Sequence, residues 1–217
     1  LGVALGAEWR YHEIDDTPDP RSVGNEFWGT TSAGNTRGED TVSEAFAEIN
    51  IPLLKGVPFI EELTLDGSTR VFDYDSYGSD SVWKAGLNWQ VIPSVRIRGT
   101  KGTSYRAPAL YELYLGNQTG FLGQLSIDPC INWANSSNPN IQTNCAAAGI
   151  PGNYAGAGSS ATIVSAGGIG LLDAETSEAS TLGLIWTPEF IDLSFAIDYF
   201  DIQINNAVTQ LGASTIL

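Results

Sequence analysis

The feature that most limits what this chain can become is a period of two. Leu1, Val3, Leu5, Ala7, Trp9 and Tyr11 fall on one side of an extended backbone, and Gly2, Ala4, Gly6, Glu8, Arg10 and His12 on the other. Such alternation marks a strand with two unlike faces. The pattern returns over Glu39 to Ile51, Leu63 to Tyr74, Ser81 to Val91, Glu175 to Thr187 and Ile191 to Ile204, with Ile185 on the wrong side of the sixth stretch. The fifth runs from Val95, with Ile97 and Gly99 opposed to Arg96, Arg98 and Thr100, and turns over at Tyr105-Arg106-Ala107-Pro108. Pro108 lacks an N–H, and its ring pushes Ala107 out of helical dihedrals. The expectation is an all-β chain of about seven antiparallel strands, with no helix longer than a turn or two.

The connections alternate in length, except that the six-residue link after the third stretch lies on the long-loop side and is short. Asp15 to Gly38 is rich in Asp, Pro, Gly, Asn and Thr and reads as a long loop, as does Leu115 to Leu172, which has almost no periodicity. Between them lie predicted turns at Pro52 and Lys55-Gly56-Val57-Pro58, at Asp75 to Asp80 and at Ile92-Pro93-Ser94, and Pro188-Glu189-Phe190 follows the sixth stretch. Up-and-down membrane barrels have short turns at one end and long loops at the other. The aromatics Trp9, Tyr11, Trp83, Trp89 and Trp186 fall on the apolar face near strand ends, where rings with a polar tip meet a membrane boundary. Trp83 and Trp89 are about 20 Å apart along the strand, or roughly 15 Å of depth at a 40° tilt, so any girdle is approximate. The opposite face carries Glu8, Arg10, Glu44, Glu48, Asp66, Arg70, Lys84, Arg96 and Arg98. That many charges need water or partners, as in a wide barrel. A two-layer sandwich with its charges outside is the competing arrangement.

Composition narrows the function. There are 25 acidic residues against 10 basic ones, for a net charge of −15. Nucleic acid, whose phosphates call for Lys and Arg, is a poor partner for such a chain. No run approaches the ~18 apolar residues of a spanning helix, a test that says nothing of strands. Cys130 and Cys145 share the second long loop. They pair in an oxidising compartment and stay free in a reducing one, and pairing is the favoured reading. The sole histidine, His12, has only Glu13 and Asp15 nearby and reads as solvated. Asp73 to Lys84 resembles a calcium loop superficially, but Tyr77 and Lys84 occupy ligand positions. The glycine-rich Gly156 to Ser160 and Gly167 to Gly170 do not lie between a strand and a helix, as a phosphate cradle must. No catalytic residues, metal ligands or cofactor are therefore assigned.

Ser104-Tyr105-Arg106-Ala107-Pro108, followed by Leu110-Tyr111-Glu112-Leu113-Tyr114, resembles a segment of TonB-dependent outer-membrane receptors. Leu172-Asp173-Ala174-Glu175-Thr176-Ser177 is similar to that family's lead into the next strand, with Ala174 where the family has Pro. Leu182 to Pro188, Ile197 to Ile202, Gly6 to Arg10 and Glu44 to Pro52 match in order, so the resemblance covers nearly the whole chain.

The resemblance implies a non-enzymatic importer in the outer membrane of a Gram-negative bacterium, bringing in a scarce nutrient such as siderophore-iron, cobalamin or an oligosaccharide by energy-coupled transport. Membrane lipid, lipopolysaccharide, a plug domain, the TonB complex and a small nutrient ligand are the implied partners. Residues 1–217 would then be part of a receptor barrel of about 22 strands, with the plug and closing strands outside it. Tyr105, Arg106, Ala107, Pro108, Glu112 and Glu175 would form the base of the second long loop, with Arg106 and Glu112 either tying it to the wall or plug or forming a local surface pair. Phe121, Trp133 and Tyr154 would contact ligand or pack the loop around the cysteines, packing being favoured. A passive porin-like channel and a soluble secreted carbohydrate-binding domain are the alternatives.

Overall fold

Alternating side chains cannot all be buried on one helix face, but they sort onto two sides of a sheet. The computed structural model describes residues 1–28 and 31–216. Seven strands, β1 (Gly2–Asp16), β2 (Thr36–Val57), β3 (Ile60–Tyr74), β4 (Gly78–Ile92), β5 (Val95–Arg106), β8 (Glu175–Trp186) and β9 (Phe195–Asn205), make one open sheet in that order. A separate pair, β6 (Gln118–Gly123) and β7 (Ser160–Ser165), forms a hairpin sheet of its own. Short helices are α1 (Pro20–Val23), α2 (Leu110–Tyr114), α3 (Gln124–Ile127), α4 (Pro139–Ala147) and α5 (Ala213–Ile216).

The chain divides into two compact units. The first is the sheet, from Leu1–Glu13, Glu39–Leu113 and Ile169–Val208; the second holds Ile14–Gly38, Tyr114–Gly168 and the segment after Val208.

In the sheet, register places like with like. Leu63, Trp89, Ile97, Leu184 and Ile197 form one row across five strands. One residue along, Thr64, Asn88, Arg98, Gly183 and Asp198 form a row on the opposite face. The apolar face is open: Leu5 is 77% and Trp9 65% exposed. Among the described residues the buried hydrophobic side chains are only Val42, Phe72, Leu113, Cys145 and Ala174. A water-soluble sandwich would bury its apolar rows between two layers. Here one layer leaves them bare.

The structure corrects several boundaries. Strand β2 runs on through Pro52, which sits where the register shifts before Leu54; a bulge tolerates a residue without an N–H. The turn into β3 is Pro58-Phe59, with Phe59 at φ 65°. Tyr105 and Arg106 belong to β5 rather than to the turn after it. The link between β8 and β9 runs from Thr187 to Ser194, so the seventh strand starts later than Ile191. On β9 the alternation reverses beyond Tyr199, with Asp201 and Gln203 on the face of Ile197, and Phe200 and Ile202 opposite. The stretch from Leu115 to Leu172 is not structureless. It contains the β6–β7 hairpin and α4, a nine-residue helix longer than the sequence led us to expect.

Candidate functional site

The second long loop leaves β5 beside Pro108 and returns into β8 at Glu175. Pro108 cannot continue a ladder, and the chain folds into the one-turn helix α2, where the Ala109 N–H donates to Glu112 Oε2 at 2.7 Å. That aims the Glu112 carboxylate back at the strand end. Arg106 meets it with both terminal nitrogens, Nη1 at 2.9 Å and Nη2 at 3.1 Å. The same guanidinium donates to Glu175 from Nε at 2.8 Å and from Nη2 at 2.9 Å. Glu175 also accepts the Val208 N–H at 2.7 Å. A planar fork of fixed donors suits two carboxylates at once. One side chain thus joins the departing chain, the returning strand and the segment after β9. Bonds from Arg106 hold the Glu112 carboxyl below its ordinary range, opposed in part by burial and helped by the Ala109 N–H. The tie from Arg106 runs to the wall strand β8 as well as locally; Ala174 beside it is buried and Ala107 half-buried.

A second cluster lies on the polar face of the sheet. The Glu44 carboxylate, its side chain 1% exposed, accepts Arg10 Nη2 at 3.1 Å, Arg70 Nη1 at 3.2 Å and the Tyr105 hydroxyl at 2.6 Å. Strict alternation would put Tyr105 on the other face. Its strand stops pairing with β4 at Gly102, and beyond that point Tyr105 turns in to stack on Phe72, ring centroids 3.7 Å apart. Tyr74 stacks on Tyr77 alongside. Arg10 Nε and the Tyr77 hydroxyl are buried polar atoms without a hydrogen-bond partner among the described residues. Burial foremost raises the Tyr77 hydroxyl above its ordinary pKa. Further along, Arg98 Nη2 grips both oxygens of Asp198 at 2.9 and 3.0 Å, over the bare backbone of Gly183, where a Cβ would collide with the pair. These cations are neutralised in place. Among the described residues no group of three or more His, Cys, Asp or Glu is placed to hold a metal.

The loop residues separate. Cys130 and Cys145 are disulfide-bonded. Trp133 Nε1 donates to the Ile150 carbonyl at 3.0 Å, and the Tyr154 hydroxyl accepts from Gln124 Nε2 at 2.8 Å, so both serve the loop's own packing. Phe121 stands half in solvent on β6. Of the apolar-face aromatics, Trp9, Tyr11, Trp83 and Trp186 are exposed, while Trp89 donates its Nε1–H to the Phe59 carbonyl at 3.0 Å. Missed in the sequence were the roles of Glu44 as the shared acceptor and of Val208; an acidic residue between two strands with inward Arg was the only available hint.

Residues 1–217 match a family model described as TonB dependent receptor-like, beta-barrel. The chain belongs to the TonB-dependent receptor-like β-barrel family. Solved structures agree on the fold. The ferric enterobactin receptor PfeA mutant Q482A from Pseudomonas aeruginosa, in complex with enterobactin, superposes with a TM-score of 0.57 at 21% identity, over 91% of this chain and 23% of its own. The siderophore receptor PirA from Acinetobacter baumannii gives 0.59 at 14% identity, over 94% and 24%. PirA from P. aeruginosa gives 0.57 at 16%, over 93% and 28%. The chain spans about a quarter of the length of these receptors. As a member of the TonB-dependent receptor family it has a receptor's architecture: antiparallel strands in sequence order, an open seven-stranded sheet and a long excursion between neighbouring strands.

Proposed function

We propose that this chain supplies wall strands and outer loops to a receptor in the outer membrane of a Gram-negative bacterium, which imports a scarce nutrient by energy-coupled transport. The observation that carries the reading is the bare apolar face set against a charge-paired opposite face. Lipid would cover the first and water the second.

The rows support a defined membrane depth. In a barrel tilted by about 40°, a row of paired residues climbs about 3 Å per strand toward the loops. Trp186 lies two residues inward of Leu184, the row partner of Trp89 through Ile97. Two strands of climb and two residues of descent cancel to about 1 Å, which gives Trp89 and Trp186 one level. At the other end, the apolar face turns polar along a single row, Lys101, Ser180 and Asp201. Lys101 reaches on past it to Glu178, at 2.7 Å. A lysine stem lying on hydrocarbon with its ammonium drawn toward water fits an outer boundary there. Arg106, Glu112 and Glu175 then anchor the loop on the outer side. Residues 1–217 form part of the barrel domain, with a plug and the TonB complex as partners of the whole protein, and membrane lipid and lipopolysaccharide around it.

The test is fractionation and TonB binding. The full-length protein containing this chain is expected in the outer-membrane fraction, migrating differently on gels before and after boiling, and binding the purified periplasmic domain of TonB. Recovery as a soluble protein, or a membrane barrel that does not bind TonB, would end the reading.

A further inference from the structure

The β6–β7 hairpin has one edge that is used and one that is not. In an antiparallel ladder, pairs alternate between residues bonded to each other and residues whose N–H and C=O turn away. Two bonds fix the phase here. The Gln124 N–H donates to the Ser159 carbonyl at 2.9 Å, a bonded rung, and the Thr119 N–H turns away from β7 to the Ser32 carbonyl at 3.0 Å. Counting from either, Gly123–Ser160, Phe121–Thr162 and Thr119–Val164 are the pairs that turn away. On the β6 side the stretch Ser32-Ala33 covers part of the edge, with Ala33 bridged to Gln118. On the β7 side the main-chain N–H and C=O groups of Ser160, Thr162 and Val164 have no partner among the described residues. At the end of the strand Gln210 Nε2 donates to Ser165 Oγ, a side-chain bond that leaves the edge open.

Proteins shield such edges with charges, prolines or bulges. The outer strands of the seven-stranded sheet are charged: β1 carries Glu8, Arg10 and Glu13, and β9 carries Asp198 and Asp201. Strand β7 has no charge and no proline, and its register with β6 runs unbroken. Thr162, Ile163 and Val164 are three β-branched residues in a row, which favour an extended chain. Thr162 and Val164 share one face of the hairpin with Phe121, and all three are exposed, Val164 by 62%. From Tyr114 to Gly168 the one charged residue is Asp128, and it is engaged by Gln124 Nε2 and the Cys130 N–H, both at 2.8 Å.

Donors and acceptors that recur at every second residue, about 7 Å apart, match the main chain of another extended polypeptide. We propose that the open edge of β7 binds an extended, uncharged segment of another polypeptide. That segment adds as a third strand, with alternate side chains beside Thr162 and Val164 on the face that carries Phe121. The length of the edge decides between occupants. Its six residues span about 20 Å, enough for a short peptide. Two copies of this chain joined only there would fall far short of the roughly 1,200 Å² that a stable interface buries. The inference needs only the hairpin and stands or falls separately from the receptor reading.

The experiment is fluorescence anisotropy of the full-length protein in detergent with a fluorescein-labelled hexapeptide of alternating threonine and valine, and with the same peptide N-methylated at every residue. The plain peptide is expected to bind. Methylation keeps the side chains and removes the N–H groups, and should weaken binding by about tenfold or more. Val164→Pro removes one outward N–H without touching a β6–β7 rung, and should weaken the plain peptide by about tenfold. Val164→Lys keeps that N–H and adds a charge of the kind that shields edges, and should weaken it too. The fold of both variants is checked by the heat-dependent gel shift and by an unchanged pattern of limited proteolysis between Tyr114 and Gly168. Equal affinity for the two peptides, or binding indifferent to both folded variants, overturns the inference. Absence of binding also overturns it, and slow hydrogen exchange at Thr162 and Val164 in the free protein would then show an edge already covered by another part of the receptor or by a second copy.

Discussion

The two units hold themselves together by different means. The sheet relies on main-chain ladders and on cross-strand pairs such as Arg98 with Asp198 and Arg70 with Glu44, and leaves its large hydrophobes outside. The second unit has one hairpin, short capped helices and a covalent cross-link between Cys130 and Cys145. The contrast shows where each gets its stabilising solvent transfer. On the proposed receptor reading the sheet needs no interior of its own, because lipid would remove its apolar side from water. The second unit buries few side chains of its own among the described residues, and a covalent staple offsets that.

Breaking the sheet from its apolar face should give the largest effect. Leu87→Arg, in the middle of the apolar face, is expected to destabilise the folded barrel by up to about 4 kcal/mol, while Asn88→Arg on the opposite side costs less than about 1. Equal effects, measured by denaturant titration in bilayers, would erase the distinction between the faces. Next in size is the loop staple. Cys145→Ser should cost about 3 kcal/mol on the chain-entropy account for a ring of 15 residues. The loss should be confined to the second unit: limited proteolysis should cut within Tyr114 to Gly168 with the sheet intact.

Arg106→Ala tests the base of the second long loop, within the first unit. Both ends of its ion pairs reach solvent, so a loss of about 1 kcal/mol is expected after screening. The sharper readout is hydrogen exchange, faster at Ala109 and Val208, whose N–H groups bond to the carboxylates that Arg106 fixes. The smallest effect is that of pH. A carboxyl whose folded pKa is depressed contributes stability that is present above its unfolded value of about 4.3 and lost as pH falls through the folded one. Protection of the Ala109 N–H, its exchange rate relative to that of a free chain at the same pH, should therefore be lost only as pH falls below the ordinary carboxylate range, and Glu112→Gln should remove that dependence.

The strands of the sheet were readable because an apolar face set against a polar one writes itself as alternation along the chain. The positions that misled are those where another force wins. Pro52 survives inside β2 because a bulge excuses its missing N–H. Tyr105 defies its parity because stacking on Phe72 and a bond to Glu44 outweigh it once β5 leaves β4. Hairpin β6–β7 was hidden because Gly120 and Gly123 interrupt one strand and hydroxyls sit on both faces of the other. Helix α4 lacks an apolar stripe, yet Asn138-Pro139, a cap followed by a first-turn proline, was a usable signal. Of the loop base, Arg106, Glu112 and Glu175 could be named from motif order; their convergence on one guanidinium required coordinates.

That convergence has a consequence for how such a chain can change. With departure and return clasped at Arg106, whatever is strung between Glu112 and Glu175 hangs from a fixed socket. Its contents can be lengthened, shortened or swapped like a cartridge, and the pairing of β5 with β8 keeps its register.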